Sequence, residues 1–218
     1  MANQPGRVKR SYKSALRREK AEQTRLSIAA AGGRLFAEQG YVATSIDDIA
    51  AAAGVGRATV FTSVGAKPEV LKAAYRLAVR GEADASTPLG QQARSREIMA
   101  EANPRKLLAG YAEVLVGIGG RLAPLYEAVR AAAHADQEAR HLWYLITEER
   151  RTGAGRVIVA LASRKALRSE LDQSSATDIL WVLTDPGLYQ VLVQRRGWTR
   201  VHFRTWLIET MQQQLLQP

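Results

Sequence analysis

The stretch from Thr44 to Lys67 constrains this chain more than any other, because it can hold only two short helices and one tight turn. Ser45 stands where a hydroxyl can accept from the orphan backbone N–H groups of a helix start. Asp48 follows three residues later, so the pair resembles a capping box with Asp in place of the usual Glu. Ile46, Ile49, Ala50 and Ala53 then share one helical face. Gly54 comes where a left-handed residue ends a helix. Val55 can plug the space between the helices, and Gly56 to Thr62 supplies the second helix with Val60 turned inward. Arg57, Ala58, Thr59 and Thr62 are left to point outward. Ala50 is small enough for the two helices to cross closely. A helix, a glycine turn and a second short helix form the minimal device for putting side chains into a DNA major groove.

Helical spacing continues on both sides. Ile28, Gly32, Leu35 and Phe36 predict a helix over roughly 22–39, stopped at Gly40 and followed by Tyr41. Val70, Leu71, Ala74 and Leu77 predict a fourth helix from Pro68 to Arg80. The run from Ala30 and Ala31 through Leu35-Phe36, Gly40-Tyr41, Thr44-Ser45-Ile46 and Ile49-Ala50 is followed by Ala53-Gly54-Val55, Thr59-Val60-Phe61, Lys67 and Leu71. This pattern resembles the TetR (tetracycline-repressor-type) family of transcriptional regulators; beyond it, the chain is only compatible with that family, whose sensor domains vary widely.

The resemblance implies an all-α fold with an N-terminal three-helix helix-turn-helix DNA-binding head and a helical ligand-binding and dimerisation bundle. It implies a phosphate contact at Thr44 or Ser45, and a recognition face made of Arg57, Ala58, Thr59 and Thr62. Lys67 matches the phosphate-binding Lys at the start of the fourth helix. Phe61 occupies a position that usually carries a Tyr whose hydroxyl binds phosphate; without the hydroxyl, only packing against the sugar backbone remains. Val64 stands where an aromatic is common, and Gly65-Ala66 stand where a capping Ser or Asp is usual.

Charge gathers at the same end. Residues 1–80 hold 14 Lys and Arg against 6 Asp and Glu, whereas residues 81–218 hold 17 against 15. Most of the net charge of +10 therefore sits on the proposed head, which suits a polyanion partner. The first 20 residues carry Arg7, Lys9, Arg10, Lys13, Arg17, Arg18 and Lys20 against Glu19 alone. Such an arm, expected over 1–21 with a head at 22–80 and a body at 81–218, can lie in a minor groove or along phosphates. A solvated tail without a specific role fits the same composition.

Composition excludes other classes. There is no cysteine, hence no disulfide framework, thiolate metal site or cysteine nucleophile. No run of 18 apolar residues spans a membrane, and no apolar segment follows the basic N-terminus as in a secretory signal, so the cytoplasm is the expected compartment. No phosphate-binding glycine loop or nucleophile elbow occurs. His134 and His141 lie two helical turns apart, too far to bridge one ion easily, so no metal is expected and no cofactor is implied. Gly117, Gly119 and Gly120 read as a helix contact, not a dinucleotide fingerprint.

The rest reads as helical. A short helix is expected from Gln91 to Glu101. Asn103-Pro104 reads as a cap with Pro at the first helical position. Leu108, Tyr111, Leu115, Ile118 and Leu122 follow at helical spacing, with a kink or restart expected at Pro124. Asp136 can cap the next helix, Asp185-Pro186 repeats the cap, and Thr199 can cap the last helix. Leu188 and Leu192 on one helix and Phe203, Leu207 and Met211 on the next suit a four-helix interface across a two-fold axis, or packing within one chain. Tyr111, Trp143 and Trp181 are expected to line a pocket for an apolar or aromatic effector.

Together these features predict a homodimeric repressor that binds an inverted-repeat operator in double-stranded DNA and is released by a small molecule. A non-specific, architectural DNA-binding protein is the nearer alternative. A helical enzyme without a cofactor is the remote one.

Overall fold

The computed structural model describes residues 6–82 and 85–218, and side chains from residue 16 onward. It is all-helical, and among the described residues the only strand-like pairing is an isolated bridge between Leu167 and Leu216. The chain divides into two compact units, Met1–Leu77 and Ala78–Pro218.

The first unit contains α1 (Gly6–Gln39), α2 (Ile46–Ala53), α3 (Arg57–Ser63) and most of α4 (Lys67–Arg80). Helix α1 begins sixteen residues before the expected start at 22. The reason is that Lys, Arg, Glu and Ala in the basic stretch are strong helix formers, and nothing before Gly40 interrupts them. Ile28, Phe36, Ile49, Val60, Val70 and Leu71 make the core of this unit. Gly32 allows α1 to approach α4 closely: a Cβ there would lie 2.5 Å from Val70 Cγ1.

The second unit contains α5 (Ala93–Ala100), α6 (Pro104–Ala135), α7 (Gln137–Ser163), α8 (Gln173–Leu183), α9 (Pro186–Tyr189) and α10 (Arg200–Leu215). A π-helical stretch at Gln190–Arg195 prolongs α9. Four expected caps are present. Asn103 accepts from the amides of Arg105 and Lys106, Asp136 from Ala139, Asp185 from Gly187, and Thr199 from His202. Pro124 does not end α6, which runs unbroken through it. Its neighbours Leu122, Ala123, Leu125 and Tyr126 are all buried, so tertiary packing on this stretch outweighs the lost backbone bond. Gly119 seats the Tyr189 ring, where a Cβ would stand 2.8 Å from Cδ2; this is the helix contact expected of the glycine cluster.

The core of this unit gathers Leu107, Leu108, Ile158, Leu161, Leu180 and Leu207 with flanking residues from α5 to α10. No helix among the described residues is long and apolar enough to cross a membrane.

Candidate nucleic-acid interface and body site

The geometry of the head begins at Ser45. Its hydroxyl accepts from the Asp48 amide at 3.1 Å, and the Asp48 carboxylate accepts from the Ser45 amide at 2.9 Å and hydroxyl at 2.6 Å. The capping box is therefore closed in both directions. These bonds hold the Asp48 carboxyl below its ordinary value of 3.8, the Ser45 hydroxyl being the largest cause. Gly54 then ends α2 at φ 68°, a left-handed position that favours glycine, and the Val55 amide reaches back to the Ala50 carbonyl.

Helix α3 follows at once, pinned by buried Val60. Arg57, Ala58, Phe61 and Thr62 are exposed and Thr59 is half-buried, so one side of this seven-residue helix presents polar and aromatic groups to solvent. Phe61 is 44% exposed. The Thr62 hydroxyl donates to the Ala58 carbonyl at 3.0 Å and remains able to accept.

Arg57 is ion-paired with Asp47 of α2, and its guanidinium lies 5.6 Å from the centroid of Phe61. Asp47 carried no expected role, although its place ten residues before Arg57, across the glycine turn, brings the two together. Lys67 sits with Nζ 4.4 Å from the Tyr41 ring centroid and donates to the Val42 carbonyl at 3.3 Å. The ammonium is thus held beside the loop that enters α2.

Two residues differ from simple expectation. Thr44 is only 1% exposed, and its hydroxyl donates to the Gly40 carbonyl at 2.8 Å. It braces the turn between α1 and α2, leaving exposed Ser45 as the one of that pair at the surface. Arg25, singled out by nothing in the sequence, donates from Nε to the Ser63 carbonyl at 3.0 Å and so completes the C-terminus of α3. Arg17 and Arg18 are exposed on α1.

In the body, Tyr111, Trp143 and Trp181 are half-buried, on α6, α7 and α8. Tyr111 and Trp181 lie near Arg150, which no sequence pattern marked. Its guanidinium lies 5.7 Å from the Trp181 centroid, and its charge acts on the Tyr111 hydroxyl, which burial pushes up to about 12. Trp143 packs on Tyr126 with centroids 5.3 Å apart.

The residues expected at a dimer interface divide. Phe203, Leu207 and Met211 are buried in the chain's own core. Leu188 and Leu192 are half-buried against the same core. Helical spacing on α10 identified the inward face and could not say what lay opposite. Val182, Val191 and Val201 are the large apolar residues of this region left exposed.

Residues 28–74 match the model for bacterial regulatory proteins of the tetR family. Among curated proteins, none matches the chain. Among solved structures, a protein from Rhodococcus sp. taken to be a TetR-family transcriptional regulator superposes with a TM-score of 0.69 at 16% identity, covering 87% of this chain and 97% of that one. A second, from Saccharomonospora viridis and solved in complex with choline, gives a TM-score of 0.69 at 22% identity, over 90% and 100% of the two chains. NalD, the secondary repressor of the MexAB-OprM multidrug efflux pump in Pseudomonas aeruginosa, gives 0.64 at 20% identity, over 90% and 98%.

Proposed function

We propose that this chain, a TetR-family transcriptional regulator by its helix-turn-helix head, is a homodimeric repressor that reads an inverted repeat and is released by a small molecule. The observation that carries the reading is α3. It is short, closed at its C-terminal end by Arg25, pinned by Val60, and presents Arg57, Ala58, Phe61 and Thr62, with Ser45 and Lys67 on the flanking elements. This is a surface with one strong hydrogen-bond fork, small groups that permit close approach, and flanking phosphate partners.

One such helix touches few base edges, and each good bidentate contact supplies about 1–3 kcal/mol of discrimination. Two heads in one dimer double the number of base contacts. Their recognition helices would lie about 34 Å apart, or a multiple, to meet successive major grooves. An effector in the body that favours another spacing releases the DNA. To turn a 99:1 population into 1:99 it must prefer the released form by about 5.5 kcal/mol.

The test is selection of bound sequences from a random duplex library by the purified chain at about 0.15 M salt. An enriched inverted repeat is expected. Binding without enrichment would instead support an architectural protein, a reading favoured by the basic stretch of α1 and by the missing hydroxyl at Phe61.

A further inference from the structure

The most unusual chemistry of the body lies around Arg150 in α7. Its side chain is only 13% exposed. One terminal nitrogen pairs with Asp185 Oδ2 at 3.0 Å and approaches the Tyr126 hydroxyl at 3.3 Å, and the other donates to the Trp181 carbonyl at 3.0 Å. Asp185 is fully used: Oδ1 caps α9 at the Gly187 amide, and Oδ2 also accepts from the Tyr126 hydroxyl at 3.0 Å. Two donors remain over. Among the described residues, the buried Arg150 Nε and the buried Trp181 indole Nε1 have no hydrogen-bond partner. Buried N–H groups are seldom left so, because each has given up its water without gaining an acceptor. Here two of them belong to side chains in direct contact, the guanidinium lying against the indole ring.

We propose that Arg150 Nε and Trp181 Nε1 are the polar handle of an effector site, and that the effector is an uncharged, largely aromatic molecule bearing an acceptor oxygen such as a carbonyl. The Trp181 ring lies beside the guanidinium, Tyr126 meets it through its hydroxyl with Trp143 packed on the Tyr126 ring, and Tyr111 feels the same charge, so aromatic surface adjoins the two donors. The donors set the acceptor. Asp185 sets the charge, since its carboxylate already neutralises Arg150 and would repel a second one. The inference rests on the reading of the body as an effector-binding unit, and it specifies the chemistry that such a unit would recognise.

The experiment uses the full chain without DNA, so a failure of the regulator reading leaves its result unaffected. The Trp181 indole N–H resonance is assigned by its loss in Trp181→Phe, whose fold is checked by melting. Acetophenone is titrated beside α-methylstyrene, which has the same shape with a CH2 group in place of the carbonyl oxygen, and beside benzoate. Acetophenone should shift the Trp181 N–H and bind about tenfold more tightly than α-methylstyrene, the scale of one well-made hydrogen bond. Trp181→Phe should remove most of that difference, and benzoate should bind more weakly than acetophenone. Equal affinities for acetophenone and α-methylstyrene, or a Trp181 N–H that no probe moves, would overturn the handle. Tighter binding of benzoate would overturn the uncharged class.

Discussion

Arg57 enters any encounter with DNA already partnered. Its ion pair with Asp47 is solvent-exposed on both sides and adds little to stability. Its consequence is orientation, because a guanidinium tethered between a carboxylate and the Phe61 ring samples fewer directions than a free one. Changing Arg57 to Ala should therefore relax selectivity at one base per half-site, by about 1–3 kcal/mol. Changing Asp47 to Ala should loosen the same position while raising affinity for DNA of every sequence, since a negative charge leaves the interface. Unchanged selectivity in the Asp47 variant, measured by competition among single-base operator variants, would make the pair a resting contact only. Ser45 and Asp48 obey a separate logic. The Asp48 carboxyl is held below 3.8, so its stabilising effect is complete above that ordinary value and disappears as pH falls through the lower folded value. In Ser45→Ala the Asp48 titration, followed by side-chain NMR, should move back toward 3.8, and the head should lose about 1 kcal/mol from the missing cap.

At the scale of the helix, two glycines make opposite predictions. Gly119→Ala drives a methyl into Tyr189, which is buried and packed edge-on against Phe203 at 5.3 Å, so the ring has no easy retreat. Overpacking of this kind costs about 1–3 kcal/mol and outweighs the helix propensity gained, roughly 1 kcal/mol at most. Gly153 lies inside α7 with nothing within 4 Å of an added Cβ. Gly153→Ala should stabilise by about 0.5–1 kcal/mol. Thermal melting of the two variants should thus move in opposite directions. The same scale explains what could be read in advance. The starts of α2, α6, α7, α9 and α10 were legible because Ser45, Asn103, Asp136, Asp185 and Thr199 act on amides two or three residues away, a purely local interaction, whereas that of α1 was not. The continuity of α6 through Pro124 was not, since it depends on burial beside residues far along the chain. In the head, the exposed side of α3 followed from spacing around Val60, whereas the burial of Thr44 came from a turn whose carbonyl geometry no pattern encodes. Arg150 went unmarked because its partners come from α6, α8 and the start of α9.

For the whole molecule, the proposed reading of an inverted repeat requires a dimer, and the buried faces of the last helices narrow where a second copy would meet this one. Leu207 is 1% exposed and Phe203 and Met211 are likewise interior, so substitutions there act on the fold of a single chain. Val182, Val191 and Val201 belong to the same region of the sequence yet face water, with Val201 63% exposed. Exposed apolar groups scattered singly are ordinary on a surface. If the proposed dimer forms through this part of the chain, these three are the apolar groups available to it. The two sets separate experimentally. Leu207→Ala should cost about 2–5 kcal/mol of stability, as a buried leucine truncation does, and should lower the melting temperature whatever the oligomeric state. The triple change of Val182, Val191 and Val201 to Asp should leave the melting of the monomer within the small range of surface substitutions. In sedimentation it should shift the chain from dimer to monomer, and it should abolish preference for an inverted repeat over a single half-site. A variant that remains dimeric and still prefers the repeat would place the interface elsewhere, on the exposed surface of α6 or α7.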